Sequence, residues 1–195
     1  MQAPIPRQSA PGPRERGAHH ADNDARLGAE LAAVVTGARR RAVRDGDRQI
    51  DTAHLLHSLL ESDTEVRTVF GEGPHIARLL GYLVQRSIGY GLRWQSGVED
   101  SGGAPVAAEV AGFSPLAAAC MERAHERAAR RGDGPARGVD LLAEIAVEPQ
   151  ARAVEVLERA GVDTSRLPGR IEARTDGRYG ARPGRYAAED GDSAR

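Results

Sequence analysis

The sequence predicts an all-α fold of two pseudo-symmetric four-helix repeats, and three observations support this. Aromatic residues make up only 4% of the chain while Ala, Leu and Val abound, a composition that suits helices packed through small side chains better than sheets. Between residues 24 and 172 the apolar side chains recur at helical spacing, without the alternation of a half-buried strand. The same pattern then returns at a constant offset of 86 residues, carrying Leu27 to Phe113 and Leu55 to Leu141.

In the first repeat, residues 23–92, Leu27, Leu31, Val34, Val35, Ala38 and Ala42 fall on one face of a helix. Asp45-Gly46-Asp47 ends it, with Gly46 suited to a left-handed cap. Asp51 or Thr52 caps a second helix carrying Leu55, Leu56, Leu59 and Leu60. A short third helix spans Thr64 to Phe70. A fourth starts near Pro74, a favoured first-turn residue, with Ile76, Leu79, Leu80, Leu83, Val84 and Ile88 on its apolar side. Residues 93–112 contain four glycines and read as a linker, with Trp94 docking on a core.

The second repeat, residues 113–173, places Phe113, Ala117, Cys120, Met121, Ala124 and Ala128 where the first helix has its apolar face. Gly132-Asp133 matches Gly46-Asp47, and Leu141, Leu142 and Ile145 match the second helix. Matches at one offset across two helices and a turn define a duplicated unit. Residues 1–22 and 174–195 are rich in Pro, Gly and charge with little to bury, and read as disordered tails.

Composition excludes several functions. All 27 basic residues are arginine, so neither a phosphate-binding loop that needs a lysine ammonium nor Schiff-base chemistry is available. Formal net charge is −1, and residues 24–172 carry 19 Arg against 22 acids, a balance that makes nucleic acid an unlikely partner. The single cysteine, Cys120, cannot form an internal disulfide and occupies a core slot, where a thiol is inert. Ser114 precedes Pro115 at a helix start, the grammar of an N-cap rather than of a nucleophile. With no apolar run long enough to span a bilayer and no signal-like leader, the reading is a soluble cytoplasmic protein.

The stretches Phe113-Ser114-Pro115-Leu116-Ala117, Val139-Asp140-Leu141-Leu142 and Ala160-Gly161-Val162-Asp163 in the second repeat, with Asp51-Thr52-Ala53-His54-Leu55-Leu56 in the first, resemble the Clp N-terminal domain family. The resemblance covers residues 24–172 and implies a duplicated helical module that receives substrates and adaptors for a protein unfoldase. The unfoldase's ATPase modules are not expected in a chain without lysine. Family repeats commonly open their second helix with Gly-Thr-Glu-His, whose glutamates in some members help recognise phosphorylated arginine. Here those positions are Ala53 and Val139, so that recognition is expected to be lost. Pro168-Gly169 falls where the family's final helix runs on, which predicts a disturbed helix and looser packing of Leu167 and Ile171.

His54 and His57 lie one turn apart, but no second ligand cluster accompanies them, so the expectation is scaffolding with no metal and no cofactor. The expected function is a non-enzymatic protein-binding module, acting as adaptor, decoy or regulator for Clp-dependent proteolysis. Its partners would be a Clp unfoldase or that unfoldase's adaptors and substrates. Asp51, Thr52, His54, Arg137 and Asp140, at the starts of the two second helices, are the candidate contact residues. The alternative is a nucleic-acid-binding regulator using Arg39, Arg40, Arg41 and Arg44 with the C-terminal tail.

Overall fold

The computed structural model describes residues 28–71, 74–87, 99, 112–132 and 134–179. Among these lie eight α-helices: α1 Ala29–Asp45, α2 Thr52–Ser62, α3 Thr64–Phe70, α4 Pro74–Ser87, α5 Pro115–Arg131, α6 Gly138–Ala146, α7 Arg152–Arg159 and α8 Leu167–Tyr179. A single 3-10 turn, Thr164–Arg166, leads into α8. No strand occurs among the described residues. The β-type contact they contain is an isolated parallel bridge between Ile50 and Phe113. There the Ile50 amide donates to the Gly112 carbonyl at 2.7 Å and the Ser114 amide donates to the Ile50 carbonyl at 2.8 Å. This bridge joins the turn before α2 to the turn before α5, and so one repeat to the other.

The offset seen in the sequence reappears in the helix boundaries. Helix α5 begins and ends 86 residues after α1, and α6 begins 86 residues after α2. Both first helices stop at a left-handed glycine, Gly46 at φ 75° and Gly132 at φ 68°, a conformation that strains a residue bearing a Cβ. The register then slips, because α7 starts at Arg152 rather than at position 150.

Helices α2 and α6 occupy the centre. Each packs on the first and fourth helices of its own repeat and on the third helix of the other: α2 on α7, α6 on α3. Leu55, Leu56, Leu59 and Leu60 of α2 and Leu141, Leu142 and Ile145 of α6 are fully buried there. The predicted apolar face of α1 is buried from Leu31 to Ala42, and that of α5 from Leu116 to Ala128. Helix α4 departs from expectation. Leu79 and Leu83 are buried and Ile76 and Leu80 partly so, but Val84 is half exposed. A residue directly following Leu83 sits about 100° further round the helix, beyond the edge of the buried stripe.

Two further corrections concern the second repeat. Helix α8 starts at Leu167, so Pro168 and Gly169 fall in its first turn. A proline amide has no intrahelical partner there in any case, so the helix is undisturbed, and Leu167 and Ile171 are fully buried. The helix also runs past residue 173 to Tyr179, with Thr175 buried. Residues 1–27, most of the expected linker including Trp94, and 180–195 lie outside the described residues.

Candidate functional site

At the start of α2, Asp51 accepts a hydrogen bond from the His54 amide at 2.9 Å. His54 Nδ1 accepts one from the Asp51 amide at 3.2 Å. This is a capping box with a histidine in the position usually held by Glu or Gln. The other Asp51 oxygen receives Arg152 Nη1 at 2.8 Å, which fastens α2 to α7. On the far side of the ring, His54 Nε2 lies 3.2 Å from Asp47 and 3.7 Å from Asp45.

Beside this box sits a carboxylate that sequence reading placed in a linker. Glu99 is 5% exposed. It accepts from the Thr52 amide at 2.9 Å, the Arg152 amide at 2.8 Å and the Ser114 hydroxyl at 2.8 Å, and also from the Thr52 hydroxyl. Thr52 Oγ1 in turn accepts from the Ala153 amide at 3.1 Å. One buried anion thus serves the N-terminal ends of α2, α5 and α7, where amides are unpaired and the helix dipole is positive. Periodicity could not reveal it, since Glu99 stands alone in a glycine-rich stretch.

The start of α6 is fastened differently. Asp140 accepts from the Arg137 amide at 2.9 Å and from both terminal nitrogens of Arg131, one at 2.8 Å. Arg127 Nε stands 3.5 Å from the same carboxylate. Arg137 reaches across the repeats to Glu65 at 3.3 Å. Beside it, a Cβ on Gly138 would lie 1.9 Å from Asp63 Oδ2 and 2.8 Å from Leu59. Only glycine permits that approach. Asp63 caps α3 by accepting from the Val66 amide at 3.0 Å, and burial raises its carboxyl above the ordinary value.

The sequence-predicted contact residues are therefore interior. Asp51, Thr52, His54 and Asp140 are each at most 2% exposed, and Arg137 is half-buried. Ala53 and Val139 are also buried. Ser114 caps α5 by accepting from the Ala117 amide at 3.1 Å, as its context implied. Burial pushes the Cys120 thiol up to about 12, which keeps it protonated and unreactive.

Among the described residues, the metal-ligand types that converge are Asp47, Asp51 and His54, one candidate atom from each lying within 4.8 Å of the others. Both Asp51 oxygens are committed, to the His54 amide and to Arg152, so the group serves as a cap. His57 faces elsewhere, with Nε2 3.0 Å from Glu61. Burial, and after it the charge of Arg41, lower His57 to about 4.

A cleft of 480 Å³ opens between α1 and α2, lined by Arg40, Arg41, Arg44, Ser58, Glu61 and Ser62 together with Ala33 and Gly37. Arg41 forms its floor, donating to the Gly37 carbonyl at 3.1 Å and to Ser58 Oγ at 3.0 Å and pairing with Glu61. Partial burial pushes Glu61 up, but the hydrogen bond and charge of Arg41 outweigh it and hold the carboxyl below its ordinary value.

Comparison with solved structures finds the N-terminal domain of the caseinolytic-protease-associated chaperone ClpD from Arabidopsis thaliana. It is similar at a TM-score of 0.58 and 21% identity, over 78% of this chain and 96% of that one. The fold is that of a Clp N-terminal domain. No family model matches the sequence, and no curated protein does. The two central helices, the reciprocal packing and the capping clusters described above are thus this chain's version of the Clp N-terminal fold. No helix among the described residues is long and apolar enough to cross a membrane.

Proposed function

We propose that this chain is a non-enzymatic protein-binding module, acting as an adaptor, decoy or regulator for Clp-dependent proteolysis. The observation that carries this reading is the fold itself, shared over nearly the whole length of a chaperone's N-terminal domain. The buried chemistry is consistent with it. The thiol is inert, and the carboxylates at the starts of α2 and α6 join helices instead of facing a cavity. Since Asp51, Thr52, His54 and Asp140 are interior, Asp51 and Thr52 serve to tie α2 to α7, and His54 and Asp140 to fix helix starts within their own repeats, while exposed side chains around them meet the partner.

Affinity purification of the full chain followed by mass spectrometry tests this. Enrichment of Clp unfoldase subunits, their adaptors or their substrates is the expected result. Retention on DNA or RNA that falls with salt, without Clp components, would instead favour the nucleic-acid regulator.

A further inference from the structure

Resting on the protein-binding reading, we propose that the cleft between α1 and α2 is a docking subsite for an acidic segment of the partner, taking its Asp or Glu carboxylates. The two repeats provide an internal control. The cleft positions Gly37, Arg40, Arg41, Arg44, Ser58 and Ser62 correspond at the 86-residue offset to Arg123, Glu126, Arg127, Arg130, Glu144 and Glu148.

In the second repeat every arginine at this place has a carboxylate. Arg123 pairs with Glu144 at 3.3 Å and with Glu148 at 2.5 Å. Arg130 faces Glu126 at 3.8 Å, and Arg127 pairs with Glu172. In the first repeat the three carboxylate positions are Arg40, Ser58 and Ser62. Glu61 answers Arg41 and Asp45 answers Arg44 at 3.3 Å, while Arg40 has no acidic partner among the described residues. Arg41 Nε also lacks an acceptor.

The first repeat thus keeps Arg41 and Arg44, each with a carboxylate of its own, and adds Arg40 without one. It has Gly37, Ser58 and Ser62 where the second repeat places Arg123, Glu144 and Glu148, which leaves the space between the helices open. Two exposed guanidiniums one turn apart, Arg40 and Arg44, stand at the mouth, with the Ser62 hydroxyl opposite. Planar guanidiniums match carboxylates, and such charge-assisted bonds are directional. A nucleic-acid strand fits poorly, because Asp45 and Glu61 flank the arginines and no aromatic side chain lines the cleft for base stacking. Gly37 keeps the floor in place, since a Cβ there would stand 2.7 Å from Ser58 Oγ and 3.2 Å from Arg41 Nη1.

Fluorescence anisotropy of the full chain with a labelled tetraglutamate peptide, against its tetraglutamine counterpart, tests the subsite. The acidic peptide should bind about tenfold more tightly or better, the equivalent of one charge-assisted contact. Arg40→Gln with Arg44→Gln should bring the two peptides level at an unchanged melting temperature, both side chains being exposed. Ser62→Glu, which copies the second repeat's own anion, should do the same from the opposite wall. Equal binding of the two peptides by the wild type would overturn the proposal. So would a preference that survives the double variant, or a poly-dT oligonucleotide that binds more tightly than the peptide. Capture of Clp components by the wild type is a separate arm. If it succeeds while the peptides bind alike, the subsite is wrong and the function stands; if it fails, the peptide result still decides the subsite.

Discussion

The two repeats share a backbone plan but solve the same joining problem with different chemistry. Where α2 meets the second repeat, Thr52 and the N-terminal end of α7 converge on the buried Glu99 carboxylate. Where α6 meets the first repeat, Gly138 presses its backbone against Asp63, and Arg137 reaches Glu65. One joint is held by hydrogen bonds to two buried carboxylates, Glu99 and Asp51, the other by one ion pair and a close approach that the absence of a side chain permits. The difference teaches that pseudo-symmetry of backbone does not require symmetry of interaction.

The comparison can be broken most severely at Glu99. Replacing it by Ala leaves the Thr52 and Arg152 amides and two hydroxyls without their acceptor, and should cost about 3–5 kcal/mol in chemical denaturation. Glu99→Gln, which keeps an acceptor without the charge, should lose less. If Glu99→Ala unfolds at the wild-type midpoint, the first joint does not depend on this anion.

Leu56→Ala and Leu142→Ala, equivalent positions buried at the centre, should each cost about 2–5 kcal/mol. Similar losses would show one continuous core, while a melting temperature unmoved by either would place the wrong face inside. Gly138→Ala should destabilise by about 1–3 kcal/mol, because the added Cβ must displace Asp63. A variant as stable as the wild type would show that the second joint yields freely.

The acid response should come mainly from the first repeat, since His57 corresponds to Ala143 in the second. His57 titrates near 6.5 when unfolded and at about 4 when folded, so the folded state binds fewer protons between those values. Stability should therefore fall as pH drops from 6.5 to 4, by up to about 3 kcal/mol, and the dependence from this group should cease below 4. The raised Asp63 acts in the opposite sense, because its protonation on acidification favours the folded state. Denaturation midpoints across that range for wild type and His57→Ala would reveal the slope, which the variant should lose.

The smallest signal expected is with free phosphoarginine, for which titration calorimetry should give no heat of specific binding. Ala53→Glu and Val139→Glu do not make a clean rescue, because both positions are buried and a carboxylate there would enter the core.

The repeat, its core leucines and its caps were legible in the sequence because each rests on local spacing. The left-handed Gly46, the Asp51 cap and the Ser114-Pro115 helix start all follow from residue type within one turn. What was not legible depends on distant partners. Glu99 lies 47 residues from Thr52 and 53 from Arg152, and nothing in its neighbours marks it as buried. Asp51, Thr52, His54 and Asp140 stand out in the sequence as polar residues at helix starts, which suggests a surface, yet they are buried and their polar groups bond within the protein. Pro168 misled because its effect depends on whether the helix starts before it or well upstream, which the residue alone does not state.

The reciprocal packing of α2 on α7 and α6 on α3 has the topology of a symmetric dimer whose two copies became covalently joined. Such an ancestor would have needed one surface able to face itself. Two copies of the first repeat would bring the Thr52 side chain toward Asp63 in the space that Gly138 leaves empty, where a Cβ meets an oxygen at 1.9 Å. At that pair the two halves differ: Gly138 stands where the first repeat has Thr52. A pairing of two first repeats would have to displace Asp63, a displacement that the pairing in this chain avoids.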